Sequence, residues 1–169
     1  MDKKESKPKM GRLAQIWCND TLTAAFQGIG ELNEEEAEII LKRCSEVCSR
    51  YWLSILNQKY GWSSENSDFD EFLKAQEAFE KHMSNGKASI TRDGNVIEEE
   101  FWDGECTCPL VKNYKLVKPF PHLCLCGRNT FKTVYEAGAK RPVQAEVVDS
   151  YCRGGNRCLL RFKIEDLND

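Results

Sequence analysis

Two Cys-x-Cys pairs, Cys106-Thr107-Cys108 followed by Pro109 and Cys124-Leu125-Cys126 followed by Gly127, stand on either side of a short lysine-bearing loop. They constrain the fold more than any other feature, because a single reversal of the chain between them gathers four thiols. Four thiolates fill the tetrahedral shell that Zn²⁺ prefers without help from histidine or carboxylate. The spacing therefore predicts a metal site of Cys106, Cys108, Cys124 and Cys126. Zinc is the expected occupant and an iron–sulfur cluster the alternative, since soft thiolate sites accept both. The competing reading, four small buried hydrophobes, fits isolated cysteines better than paired ones. Such a site carries two net negative charges, and Lys112, Lys115, Lys118 and Arg128 are close enough in sequence to offset them.

Nine cysteines are present, an odd number that a fully paired disulfide framework cannot absorb. No stretch is apolar enough to span a membrane, and the N-terminus lacks the apolar core of a signal peptide. A cytoplasmic protein with reduced thiols is expected, where clustered cysteines serve as ligands or catalytic groups rather than bridges. An anaerobic host would make free thiols cheap to keep. The net charge is −3 with both signs interspersed. The one basic run, Lys3-Lys4 through Lys9, lies in a polar segment expected to be a solvated, disordered tail over residues 1–10. That is no footprint for nucleic acid.

The hydrophobic period changes midway. Leu13, Ile16, Trp17, Leu22, Ala25 and Phe26 have helical spacing, with Gly28 and Gly30 as the stop. Asn33 is an N-cap for Glu34-Glu35-Glu36, and Ala37, Ile40, Leu41, Cys44, Val47, Cys48, Tyr51 and Ile55 extend one face of a second helix. Phe69, Phe72, Leu73, Gln76, Phe79 and Met83 mark a third, closed by Asn85-Gly86. From Lys87 onward the pattern is that of strands. Arg92-Asp93-Gly94 makes a tight hairpin, and Asp103-Gly104 turns the chain into a third strand carrying Cys106 and Cys108 on one face. Gly127 to Ala139 reads as a helix. Cys124 and Cys126 must then occupy a non-helical knuckle, because residues two apart on a helix face directions about 200° apart. Pro142 to Tyr151 and Arg157 to Ile164 form a last hairpin. The expected fold class is α+β: a helical lobe over residues 11–86, then an α+β cysteine-rich lobe over residues 87–169 with an antiparallel sheet and one covering helix, the two lobes forming one unit.

Further ligands are available. Cys44 and Cys48 share a helical face at i, i+4 and either join the metal or sit in the core. Cys152 and Cys158 face each other across the last hairpin if its loop is three residues long, and otherwise pack. His122 is a substitute ligand or a group behind the ligands, whereas His82 suits a solvated helix end, and Cys18 is a packing residue. With two histidines no Ser-His-Asp arrangement can be assembled, and the Gly154-Gly155 pair is a turn, not a phosphate cradle.

The run from Cys124-Leu125-Cys126-Gly127-Arg128-Asn129 through Phe131 to Glu136, Arg141-Pro142-Val143 and Asp149 to Cys158 resembles an uncharacterised cysteine-rich family of anaerobic bacteria. That family is in turn distantly similar to the 4-vinyl reductase, or predicted hydrocarbon-binding, domain. The resemblance implies a small-molecule-binding or sensor-like α+β module with a cysteine metal site drawing on Cys106, Cys108, Cys124, Cys126 and Cys158. More faintly, the helical lobe before a sheet resembles the family named for hydrolysis of 2-amino-thiazoline-4-carboxylate, the enzyme alternative. The expectation is a binding module whose partner is a small apolar or aromatic molecule. Trp17, Trp52, Trp62, Trp102, Phe101 and Tyr135 are candidate linings. Dimerisation through the helical lobe is the structural alternative.

Overall fold

The computed structural model describes residues 12–112, 115 and 117–166, with side chains from residue 16 onward; the tail over residues 1–10 lies outside them. Helix α1 (Arg12–Glu31) runs through Gly28 and Gly30 instead of stopping there. Gly30 has a packing role: a Cβ there would sit 3.3 Å from the Phe120 ring. The break comes at Asn33, whose side chain accepts the Glu36 N–H at 3.0 Å and so caps α2 (Glu34–Tyr60). Gly61, with φ +71°, closes α2 in the left-handed conformation. Asp68 and Glu71 form a reciprocal capping box at the start of α3 (Phe69–Met83).

The buried face of α2 is rotated from the one periodicity predicts. Ala37, Leu41, Ser45, Ser49 and Leu56 are buried, whereas Ile40, Val47 and Tyr51 are exposed. Small residues win this face because α5 (Leu123–Ala139) lies against it, the most extensive helix–helix contact in the structure. The two serines cost little there, since each hydroxyl bonds back to a carbonyl of its own helix, Lys42 and Glu46 respectively.

Strands β1 (Ala88–Asp93) and β2 (Val96–Phe101) form the expected hairpin around Gly94. The expected third strand carrying Cys106 and Cys108 does not form. The free edge of β2 is taken by β4 (Cys158–Ile164), with Phe101 opposite Cys158, so the following segment has no strand to pair with. It runs as a loop into α4 (Pro109–Lys112), where proline suits a first helical turn. Strand β3 (Val143–Asp149) completes an antiparallel sheet of order β1-β2-β4-β3. The β3–β4 connection is not a short hairpin loop. It contains a 3₁₀ turn (Tyr151–Arg153) capped by Ser150, and Leu159, not Cys158, lies opposite the end of β3. Cys152 and Cys158 are therefore not a cross-strand pair.

The chain is α+β, with helices preceding an antiparallel sheet that α5 covers. Ile97, Glu99 and Phe101 on β2 and Leu160, Phe162 and Ile164 on β4 are buried, while the opposite face carries Glu98–Arg161–Glu146 and Glu100–Arg157 ion pairs. Tyr135 of α5 stacks on Phe162 with ring centroids 4.3 Å apart and meets Phe72 of α3 edge-on at 5.4 Å. The core thus draws on α2, α3, α5 and the sheet together. Among the described residues no helix is long and apolar enough to cross a membrane.

Candidate functional site

All nine cysteines are free thiols. Apart from Cys18 on α1, they gather at a second hydrophobic cluster where α2, the loop before α4, the start of α5 and the 3₁₀ turn meet, with Cys44, Cys106, Cys108, Cys124, Cys126 and Cys152 in it and Cys48 and Cys158 interacting with its thiols from outside. They do so in two groups. In the first, the thiol of Cys152 on the 3₁₀ turn is hydrogen-bonded to both Cys106 and Cys124, and Cys158 at the start of β4 is close enough to feel both. In the second, Cys48 of α2 is hydrogen-bonded to Cys126 of α5, with Cys44 and Cys108 as electrostatic neighbours.

The helix explains the division. Because α5 begins at Leu123, Cys124 and Cys126 are both helical and point about 200° apart, one toward the 3₁₀ turn and the other toward α2. The expected knuckle is absent, and each Cys-x-Cys pair contributes one thiol to each group. Cys106, Cys108, Cys124 and Cys126 are thus gathered in space but not as a single tetrad. Cys44 and Cys48, one turn apart on α2, join the second group. His122 is half-buried at the N-cap of α5 with no side-chain capping bond, and His82 lies exposed in the last turn of α3, as its helix-end reading anticipates.

The thiols polarise one another. The hydrogen bond from Cys152 pulls Cys124 down to about 6 against burial, helped by the Ser150 hydroxyl, the Arg153 charge and the Cys152 N–H. The same donor lowers Cys106, which also accepts the Cys108 N–H. Cys152, donating to two anions-in-waiting, is pushed far up. Cys126 stands in the same relation to Cys48, which its hydrogen bond brings down to about 7. Burial pushes Cys108 and Cys158 up to about 12, although Cys108 accepts the N–H groups of Leu110 and Val111 and Cys158 that of Tyr151; burial also raises Cys44.

Two of the basic residues expected to balance the site are committed elsewhere, Lys112 to Asp103 and Arg128 to Glu38, while Lys115 and Lys118 are exposed. Arg153, which spacing alone missed, is a cation that acts on Cys124. Among the described residues no three His, Cys, Asp or Glu side chains already stand as they would around a metal ion.

The aromatic residues expected to line a cavity are divided between the core and the surface, and Trp62 borders a surface pocket beside Leu53 and Asn57. Trp52, Trp62, Phe101 and Tyr135 pack against other rings, and Trp17 and Trp102 are exposed. Sequence reasoning also missed a buried polar knot. Gln76 donates to Glu80 and to Glu99 at 3.0 Å and accepts from Trp52 Nε1 at 2.7 Å. Glu80 Oε2, Glu99 Oε2 and the Tyr135 hydroxyl have no partner. Burial lifts Glu99 to about 8. The signal was available, since strand alternation puts Glu99 in phase with Ile97 and Phe101.

No protein-family model matches the chain, and no curated protein does. Among solved structures it is similar to a trafficking protein particle complex subunit 3 from Naegleria fowleri, a crystal structure with palmitic acid covalently bound. The identity is 13%, the TM-score 0.59, and the match covers 92% of this chain and 98% of that one. At that identity the likeness concerns the fold alone. It corrects the resemblance to the cysteine-rich family and the 4-vinyl reductase domain: the architecture is that of the trafficking-complex subunit. The residues that carried the resemblance form a helix start and a 3₁₀ turn, local structures that many topologies accommodate.

Proposed function

We propose that this protein is a metal-binding interaction module in which Cys106, Cys124, Cys152 and Cys158 hold one Zn²⁺. The observation that carries the reading is the Cys152 thiol, hydrogen-bonded to two cysteines from separate segments of the chain. Tetrahedral zinc with Zn–S bonds of about 2.3 Å places sulfurs about 3.8 Å apart. The thiols do not yet surround a common point, so loss of their protons on metal binding and rotations about the Cα–Cβ bonds would have to close the shell. Backbone N–H groups of Cys108, Cys152 and Tyr151 donate to Cys106, Cys124 and Cys158, and Arg153 faces Cys124. These donors spread the excess negative charge of a tetrathiolate and orient the sulfurs.

Four protein ligands leave no open position, which makes the site structural. It would tie together a loop, a 3₁₀ turn, the start of α5 and the start of β4, segments from separate parts of the chain. Chemistry is not required of such a module, and its fold is shared with a subunit of a multi-protein complex. The test is elemental analysis and absorbance of anaerobically purified protein. Stoichiometric zinc, lost in Cys124→Ser/Cys152→Ser, is the expected result. Iron with sulfide and a brown colour would replace zinc by a cluster on the same thiols, and folded protein free of metal would refute the reading.

A further inference from the structure

The buried polar knot at α3 draws on none of the thiols. Gln76, Glu80 and Glu99 are each 0% exposed. The Trp52 indole N–H can only donate, so the Gln76 amide oxygen must face it and the amide nitrogen must face the two carboxyls. That nitrogen has two hydrogens, and Glu80 Oε1 and Glu99 Oε1 accept one each. Neither carboxyl can therefore hand a proton to Gln76. Nor do they share one, because Oε2 of each is buried without a partner. Two carboxylates gathered on one amide nitrogen in a dry core would repel each other with little screening. Glu80 also stands in the last turn of α3, at the negative end of the helix. The surroundings do not offset such charge. Across the sheet Glu99 meets Ile90 on β1 and Leu160 on β4. From α2 comes the neutral Trp52, and from α5 comes Tyr135, whose proton is held well above its ordinary range by burial and by Glu99. Glu77 of α3 is paired with Lys81, Lys132 of α5 with Glu136, and Glu98 and Glu100 with arginines on the far face of the sheet.

We propose that Glu80 and Glu99 each hold a proton on Oε2 in the folded chain and together form a pH-operated latch, whose loss of both protons to solvent in neutral to alkaline solution lets α3 lift from β2. An exposed glutamate is ionised above about pH 4–5, so the lifted state carries two carboxylates where the seated state carries two acids. The seated state is thus favoured at low pH and loses ground as the pH rises. Helix α3 is the element free to respond. Irregular segments bound it at residues 61–68 and 84–87, and its contacts with β1, α2 and α5 are each sparser than those that fasten α5 to α2 and β3. Lifting α3 would bare Phe72 and Phe79, so the latch governs access to the inner face of the core.

The test is amide hydrogen exchange read by mass spectrometry on the full chain at pH 6, 6.5, 7 and 7.5, with protection corrected for the intrinsic pH dependence of exchange. Each proton released on opening lowers protection about tenfold per pH unit. The proposal expects α3 peptides to lose protection about a hundredfold per pH unit in the wild type, about tenfold in Glu99→Gln and not at all in Glu80→Gln/Glu99→Gln, with α5 and β4 peptides better protected throughout. A tenfold slope in the wild type that Glu99→Gln abolishes would remove Glu80 from the latch and overturn the proposal. Equal loss in α3, α5 and β4 would mean global unfolding and would also overturn it, as would protection of α3 that does not change with pH. If the double variant does not fold, the wild-type slope and its halving on a logarithmic scale in Glu99→Gln decide the matter.

Discussion

Replacing Glu99 by Gln should flatten the pH dependence of stability between about pH 5 and 8. Glu99 is fully buried on β2, where Gln76 and Glu80 of α3 face it and Tyr135 of α5 feels its charge. Among the described residues no ion pair is made to Glu99, and Arg157 and Arg161 bind the acids of the opposite face. Burial lifts the carboxyl from its ordinary 4.5 to about 8, only partly opposed by the Gln76 hydrogen bond. The folded chain therefore keeps a proton that the unfolded chain has released. Stability is full below pH 4.5, declines as the pH rises toward 8 and levels off beyond it. At about 1.36 kcal/mol per pH unit, the loss across the window is about 5 kcal/mol, a large share of the stability of an ordinary domain. Gln keeps the acceptor for Gln76 and has no charge to acquire. Urea unfolding at pH 5, 6, 7 and 8 should show the variant gaining on the wild type by about 3–4 kcal/mol over that range. The distant thiols titrate alike in both proteins and cancel in the difference. A constant gap from pH 5 to pH 8 would refute the reasoning, since it would mean that Glu99 ionises in the folded state as readily as in the unfolded chain.

Tyr135→Phe removes a buried hydroxyl that has no partner, so it should leave stability unchanged or raise it by about 1 kcal/mol in denaturant titration, where loss of a satisfied hydroxyl would lower it. Gly138→Ala places a Cβ 2.5 Å from the Phe72 ring; displacement of that ring should cost about 1–3 kcal/mol and lower Tm. Asp68→Ala removes the capping-box acceptor for the Glu71 N–H and should cost about 1 kcal/mol, read by the same titration, with Glu71→Gln costing less because an amide still reaches back to the cap.

Much of this architecture is written in local sequence. The switch from helical to strand periodicity near Lys87, the Asn33 cap and the Asp93-Gly94 turn each depend on neighbours a few residues away, and each appears where spacing places it. The α+β class follows from that order of elements. Other features depend on partners distant in sequence. Periodicity ranks Ile40, Val47 and Tyr51 as core, but α5 approaches along Ala37, Ser45 and Ser49 because small side chains let two helices come close. Strand β4 occupies the edge of β2 and thereby denies Cys106 and Cys108 a strand.

The cysteines show the same division. Their pairing in sequence marks Cys106, Cys108, Cys124 and Cys126 as candidates to be read together, and the fold does bring them into one hydrophobic cluster. Which thiol meets which is decided by the start of α5 at Leu123, by the 3₁₀ turn at Tyr151 and by the facing of α2 on α5. A helix turns residues two apart nearly back to back, so one change of backbone state at Cys124 and Cys126 converts a single expected tetrad into two groups. Spacing along the chain singled out the cysteines, and the rotation of the helix that carries two of them determined which thiols they meet.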